Sequence, residues 1–550
     1  MKRSLLILFM SVVAVFAAMA QVTTSALGGK IMDADGEVIG ATVQAIHTPS
    51  GTHSGTISNE NGAFSIQGMR VGGPYTIKVS YVGYSTQTFE EVYLALGETF
   101  NLNVNLSEDA ALLKDVIVVG SGSKFAANLK TGATTNISNA QMISMPTVSR
   151  GITDMVRLSP YGGGKDMTFG GSDGRTANFT VDGANFNNNF GLSEKLPGGG
   201  NPISIDAIQE IQVVISPYDV RQTGFIGGGV NAITKSGTNT FKGTAYVYHQ
   251  NENMRGDAIE REQLDGVRAK DQKTTYGFTL GGPIIKDKLF FFANLEFAKI
   301  PTIANRWRAS EINANKAVAG QMNPGVGDAE NYLSRTPSYD LQQVSDHVAK
   351  TYGYNTGSYT SFPADENNKK FLIRLDWNIN DKHHLAARYN YTLNNIWNAP
   401  NGSSMDGGTR SSYNRTSEYA MSYANSMYAM QNKVSSLSLD LNSRFTDQLS
   451  NQLLFTFSKL DDIRDSDSSE FPFVDILDGD GQNYISLGYE LFTWNNAVHN
   501  TIWNIKDDVT YYLGAHKLTA GLNFEYQMAD NMYMRNGSGY YRYKRLEDFL

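Results

Sequence analysis

The sequence predicts an all-β protein whose C-terminal half crosses a membrane as part of an antiparallel barrel. Three observations carry this. From Thr240 onward, segments of about ten residues alternate apolar and polar side chains, the two-faced pattern of a barrel wall. These segments come in pairs joined by tight turns, and long polar excursions separate the pairs, an asymmetry that soluble domains rarely repeat. Composition agrees: charged residues are 18% and aromatics 11%, with Tyr (29) and Gly (53) prominent, which suits strands better than helices.

Residues 1–20 have the form of a signal peptide. Lys2 and Arg3 are basic, Leu5–Phe16 is apolar, and Ala18-Met19-Ala20 offers a cleavage site before Gln21. The chain has no cysteine, which excludes a lipoprotein anchor, a disulfide scaffold and a thiolate metal site. No later stretch reaches the roughly 18 consecutive apolar residues of a spanning helix, so membrane residence requires a barrel. A net charge of −8 argues against nucleic acid as a partner.

Residues 25–107 read as a small β-sandwich of about seven strands. Turn residues Asp33–Gly36 precede the strand-like run Ala41–Ile46, Asn59–Gly62 precede Phe64–Gln67, and Gly72-Gly73-Pro74 precede Tyr75–Val82. The carboxylates of Asp33, Asp35 and Glu37 suit turn hydrogen bonding better than metal ligation. Residues 114–123 follow. Asp115, Val116, Ile117, Val118, Val119 and Gly120 would form a buried strand on composition alone. Their position between two domains, bordered by Ser121-Gly122-Ser123, instead suggests a tethered strand that adds to a partner's sheet edge.

In residues 125–239, Asn178–Val181 is a strand ending in the turn Asp182-Gly183. Two β-type runs, Ile211–Ile215 and Val230–Lys235, are separated by Gly227-Gly228-Gly229, which allow very close backbone approach. The amides of Asn185, Asn187, Asn188 and Asn189 could read a polar ligand, the plain alternative being a polar loop.

Residues 240–550 supply the wall. Phe371, Ile373, Leu375 and Trp377 alternate with Leu372, Arg374, Asp376 and Asn378, and Leu518–Tyr526 repeats the pattern. Thr240–His249 plus four hairpins make about nine strands. An open edge leaves backbone groups unpaired in hydrocarbon, so the expectation is an N-terminal fragment of a longer barrel. Asp507 shares a face with Trp503, Ile505 and Val509, which a bulge near Lys506–Asp508 would repair. Of the long excursions, Asp461–Glu470 and Asp475–Gly481 are acidic. Calcium is one reading, but Asn483 stands where an EF-hand needs glycine, so a solvated loop is the expectation. Trp307 and Trp397 could stack on a ligand or sit at the membrane interface. No nucleophile elbow, P-loop or H-E-x-x-H motif occurs, and the eight histidines are scattered, so no enzyme and no cofactor are expected.

Several stretches carry a family resemblance. AIQEIQVVISPYDVRQTGFIGGGVNAITKSGTN (207–239) resembles the plug-to-barrel junction of TonB-dependent outer-membrane receptors, in their Oar-like, SusC-related branch. SRGITDMVRLSPYGGG and GGSDGRTANFTVDGANFNNNFG are similar to plug motifs, and KDVIVVGSG resembles a TonB box. GKIMDADGEVIGATV, TISNENGAF and YTIKVSYVGY resemble a carboxypeptidase-regulatory-like domain, with departures at Asn59 and Val38-Ile39. The resemblance implies an α+β plug inside a barrel of about 22 strands, roughly 13 of them beyond Leu550. It implies TonB as the coupling partner at Asp115–Gly120, an unidentified extracellular ligand, outer-membrane lipid around the wall, and a surface lipoprotein as a further partner. A surface adhesion or export-related barrel is the alternative function.

Overall fold

The computed structural model describes residues 22–550 apart from 109–115, 120–125, 130–131, 311–331, 403–414, shorter stretches within 146–226, 255–271 and 302–306, and residues 364 and 515. Residues 1–20, Asp115, Gly120, Asn188 and Asn189 therefore lie outside the described residues.

Eight strands build the N-terminal sandwich: β1 (Ser25–Met32), β2 (Thr42–His47), β3 (Thr52–Ile57), β4 (Ala63–Met69), β5 (Gly72–Ser80), β6 (Gln87–Leu94), β7 (Thr99–Leu102) and β8 (Val104–Asn105). One sheet runs β7-β1-β4 with β8 beside β1, the other β3-β2-β5-β6. Alternate residues from both sheets, among them Leu27, Ile31, Val43, Ile77 and Val79, are wholly buried between them. Asp33 serves its turn: it accepts the Asp35 and Gly36 N–H groups at 2.9 Å and the Tyr84 hydroxyl at 2.6 Å. That hydroxyl, with the backbone donors, holds the Asp33 carboxyl below its ordinary value. Two further strands extend the sandwich. β9 (Val116–Val119) pairs parallel with β6, and β10 (Ala126–Leu129) pairs antiparallel with β7.

The next unit is a mixed sheet with two short helices, Asn139–Ser144 and Ile152–Val156. Its strands are β11 (Gly132–Ser138), β12 (Asn178–Val181), β13 (Ala184–Asn185), β14 (Ile208–Pro217) and β15 (Gly229–Thr234), in the order β11-β14-β15-β12-β13. The glycines before β15 are needed for approach: a Cβ on Gly228 would sit 2.5 Å from the Phe169 ring. The unit buries Ile137, Phe179, Phe186, Ile211 and Val230 in a core that also takes in Phe292, Leu372, Val434, Leu460 and Ile502 of the wall.

The wall is a nine-stranded meander: β16 (Lys242–Gln250), β17 (Lys273–Ile285), β18 (Leu289–Pro301), β19 (Asp365–Asn380), β20 (His383–Asn398), β21 (Tyr428–Arg444), β22 (Leu449–Asp465), β23 (Ala497–Leu513) and β24 (His516–Met532). Each strand is antiparallel to the next, and the sheet stays open between β16 and β24. Its faces are inverted relative to a soluble sheet. Ile373, Leu375 and Trp377 are 37%, 38% and 47% exposed, whereas Leu372, Arg374, Asp376 and Asn378 are at most 6% exposed. Water would expel such an outer face, so its solvent is lipid.

Three expectations need correction. No bulge lies near Asp507: β22 and β23 stay in register there, and the Asp507 carboxylate on the outer face instead accepts a hydrogen bond from Asn451 Nδ2 of the neighbouring strand. The acidic run does not begin a loop, because β22 continues to Asp465, with Asp461 and Asp462 buried. Nor are the long excursions without structure. The helix Ser338–Tyr352 buries Leu341, Val344 and Val348 against the strands Phe473–Leu477 and Asn483–Leu487, forming a lobe with its own core beyond the wall. Asp475 is buried there, gripped by Arg415 Nε and Nη2 at 2.9 and 2.7 Å, Ser486 Oγ at 2.6 Å and the Tyr540 hydroxyl at 2.7 Å. Apolar partners from separate loops make that burial possible, and the arginine supplies the charge that a solvated loop would leave to water.

Candidate functional site

The candidate site lies in the seam between the mixed sheet, hereafter the plug, and the inner face of the wall. Arg374 on β19 and Arg388 on β20 are register partners, so two like charges stand opposite each other. Their repulsion is offset locally. Asp376 grips Arg374 through two hydrogen bonds of 2.8 and 2.7 Å, and Asp440 on β21 lies 3.8 Å from Arg388. The plug supplies the remaining carboxylate: Asp182 lies 3.4 Å from Arg388 Nε and 3.9 Å from Arg374 Nη1. Asp182 is fixed within the plug by the Thr234 N–H and hydroxyl at 3.0 and 2.7 Å. Arg374 Nη1 also donates to the Thr234 carbonyl at 2.6 Å, and Ser438 Oγ to the Asp182 carbonyl at 2.9 Å. The plug therefore acts as a counter-ion to its own housing.

The start of the described chain is wedged into the same place. Thr23 Oγ1 donates to Asp440 at 2.5 Å and accepts from Gln452 Nε2 at 2.7 Å, while the Val22 carbonyl accepts from Asn231 of the plug. The sandwich closes over the turn end of the wall. Asn59 Nδ2 donates to the Gly514 carbonyl at 2.9 Å, Gln67 Nε2 to the Tyr512 hydroxyl at 2.7 Å, and Arg70 Nη2 to Asn378 at 3.1 Å. A cavity of about 400 Å3 remains between sandwich, plug and wall, lined by His47, Arg70, Tyr75, Thr234, Arg374 and Asp376 among others. Burial, then the neighbouring Arg70, pushes His47 down to about 3, so it is neutral there; its Nδ1 lies 2.6 Å from Ser50 Oγ.

A second cavity of about 400 Å3 lies towards the long-loop end, lined by Arg150, Arg157, Lys273, Glu296, Glu366 and Lys370 among others. Glu296 collects Lys370 Nζ at 2.8 Å, Ser204 Oγ at 2.7 Å and the Tyr246 hydroxyl at 2.8 Å, tying plug to wall on this side too. Four cations and several carboxylates give this cavity a charged lining.

The residues singled out from sequence fall in different places. Asn187 staples the plug hairpin: its Oδ1 accepts the Phe179 N–H at 2.6 Å, and its Nδ2 donates to Asn178 at 2.7 Å. Asn185 caps the same turn by accepting the Asn187 N–H at 2.7 Å. Trp307 packs against the lobe core, on a strand (Trp307–Ser310) parallel to Tyr332–Pro337. Trp397 lies near the long-loop end of β20, on the same face as the lipid-facing Tyr389. Val116–Val119 lies on the sandwich edge, away from all of these. The seam charges were not singled out in advance. Alternation alone marks Arg374, Arg388 and Asp440 as inward, but nothing local pairs them with Asp182.

The family model for an outer membrane beta barrel domain matches residues 233–549, more than half the chain, and that for a carboxypeptidase regulatory-like domain matches residues 26–107. The TonB-dependent transporter Oar of Myxococcus xanthus is 25% identical over 336 residues, covering 58% of this chain and 29% of that protein. The chain thus spans less than a third of this relative. Two solved structures, the outer membrane transporter YddB from Escherichia coli (13% identity, TM-score 0.48) and the siderophore receptor PirA from Acinetobacter baumannii (16% identity, TM-score 0.43), each match 72% of this chain and 48% of their own. With its inverted wall and its matched domains, this chain belongs to the outer membrane beta barrel family and is an outer-membrane β-barrel protein with a carboxypeptidase-regulatory-like domain ahead of the wall.

Proposed function

We propose that the chain is part of a receptor that captures a polar ligand at the long-loop end and imports it, with energy delivered from a TonB-type inner-membrane complex through Val116–Val119. The observation that carries this reading is the chemistry of the seam. Plug and wall share apolar contacts, but they are fastened by hydrogen bonds and ion pairs at Asp182, Ser204 and Thr234. Hydrogen bonds to charged groups are individually worth about 1.5–3 kcal/mol net, because water replaces them when they part. A body held this way can rearrange without the wall unfolding, which a structural filler would not need. The two polar cavities flank the plug from the loop side to the turn side, and the candidate coupling strand sits on the sandwich that covers the turn end.

Deleting residues 114–120 from the full-length protein tests this. The expected result is loss of capture by the periplasmic domain of the TonB-type partner, with surface display unchanged. Unchanged capture would refute the coupling role and favour an adhesion barrel.

A further inference from the structure

We infer that the turn-side cavity between sandwich, plug and wall is a binding site for a small oxyanion of the phosphate class, taken up against the guanidinium groups of Arg70 and Arg388.

Charge is the first observation. The cavity's lining includes five cationic side chains, Arg70, Lys235, Lys242, Arg374 and Arg388, and two carboxylates, Asp376 and Asp440. Asp182 of the plug, which approaches both wall arginines, brings the carboxylates to three and still leaves positive charge in excess. In the loop-side cavity, by contrast, Arg150 and Lys370 each have a carboxylate of their own, Asp206 and Glu296.

Hydrogen bonding is the second. Arg374 is well served, donating to both Asp376 oxygens and to the Thr234 carbonyl. Arg388 is not. It is 6% exposed, and its Nε and Nη1 have no hydrogen-bond partner among the described residues, although Asp182 and Asp440 stand 3.4 and 3.8 Å away. Arg70 of the sandwich reaches the same cavity. Its Nη2 donates to Asn378 at 3.1 Å, while its Nη1 is shielded from solvent and has no partner among the described residues. Burial holds the Arg70 pKa below its ordinary value, yet a guanidinium keeps its proton, so the charge calls for a counter-ion. A smaller pocket of about 40 Å3 shares His384 and Asn442 with the cavity, and there Arg444 Nη1 is shielded and unpartnered in the same way.

A shielded donor without a partner is costly, most of all on a charged group. An oxyanion answers both needs, because guanidinium N–H groups match its oxygens in charge and geometry. Arg70 belongs to the sandwich, Lys235 to the plug and Arg388 to the wall. Donors arriving from three bodies suit the tetrahedral oxygens of a phosphate better than a planar carboxylate. The volume of about 400 Å3 is that of a small-molecule site, with room for a phosphate and its nearest waters or for a small phosphate ester. Sandwich, plug and the inner face of the wall bound the cavity, so the anion comes from solution and not from a lipid headgroup.

Equilibrium dialysis of the full-length protein in nanodiscs, with ionic strength held constant by chloride, tests this with inorganic phosphate and glycerol phosphate as probes. The expected result is saturable binding of one phosphate group per chain. Arg70→Gln should weaken it about tenfold or more, whereas Lys78→Gln, which removes an exposed charge from the same sandwich, should leave it unchanged. Tighter binding of the ester would assign the site to a phosphate carried on a larger molecule, and tighter binding of inorganic phosphate to the free ion. Should Arg70→Gln loosen the sandwich, amide exchange in the wild type decides. Phosphate, but not chloride at equal ionic strength, should slow exchange at Met69–Val71 and Thr234–Ser236, because a ligand bound only by the docked form stabilises it. Absent saturation, acetate binding as tightly as phosphate, equal affinity in a docked Arg70→Gln variant, or exchange unmoved by phosphate would each overturn the assignment.

Discussion

Glu210 joins the sandwich to the plug and makes that joint pH-dependent. It is 5% exposed, and its Oε1 accepts the Leu96 N–H at 2.8 Å and Asn136 Nδ2 at 2.7 Å. Burial outweighs these donors and raises its pKa from 4.5 to about 7, with Glu98 acting in the same direction. The sign follows directly. Between pH 4.5 and about 7, an undocked Glu210 has lost its proton while the docked one retains it, so docking is strongest in acid and weakens as pH rises through that window. At about 1.4 kcal/mol per pH unit, the full window is worth about 3 kcal/mol, and the step from pH 5 to 7.5 about 2 kcal/mol. Glu210→Gln keeps an acceptor oxygen and removes the titration. Amide exchange of the Leu96 loop and β7, corrected for the intrinsic pH dependence of exchange, should show this opening energy falling in the wild type and flat in the variant. Equal slopes in the two proteins would refute the reasoning.

Other perturbations test the remaining contacts. Ile505→Arg places a charge mid-strand on the outer face of β23 and should cost about 2–4 kcal/mol in lipid-vesicle unfolding, a penalty absent if that face meets water. Arg415→Ala leaves the buried Asp475 unpaired and should cost the lobe about 3–5 kcal/mol, read as faster proteolysis of the loops on intact cells while the wall survives. Asp182→Ala strips the seam arginines of the plug's carboxylate, and about 3–5 kcal/mol of plug seating should go with it. Ion conductance of the full-length protein in planar bilayers would then rise, with Asp182→Asn intermediate.

Much of the architecture was legible because it rests on short-range pattern. The two-residue period of Phe371–Asn378 marks the faces, and the contrast of tight turns with long loops, not the alternation itself, decides for a barrel wall over a soluble sandwich. The sandwich was legible from turn residues that recur between apolar runs. The lobe could have been anticipated in part. Leu341, Val344 and Val348 share a helix face, and Gly353 ends that helix at φ 68°. Its buried ion pair could not, because Arg415 and Asp475 come from different loops and composition alone marks the acidic stretch as solvent-facing. Asn187 shows the same limit: an amide suited to reading a ligand is equally suited to stapling its own hairpin. Strand character in Val116–Val119 was evident, but the edge it pairs with is a matter of tertiary placement.

The wall meets lipid with one face and holds the plug with the other. Single cysteines placed in turn from 371 to 378, spin-labelled in the full-length protein in vesicles, test it most directly. Oxygen collision should be strong at 371, 373, 375 and 377, with little at 372, 374, 376 and 378. Ready access of a water-soluble relaxation agent to 373, 375 and 377 would contradict it.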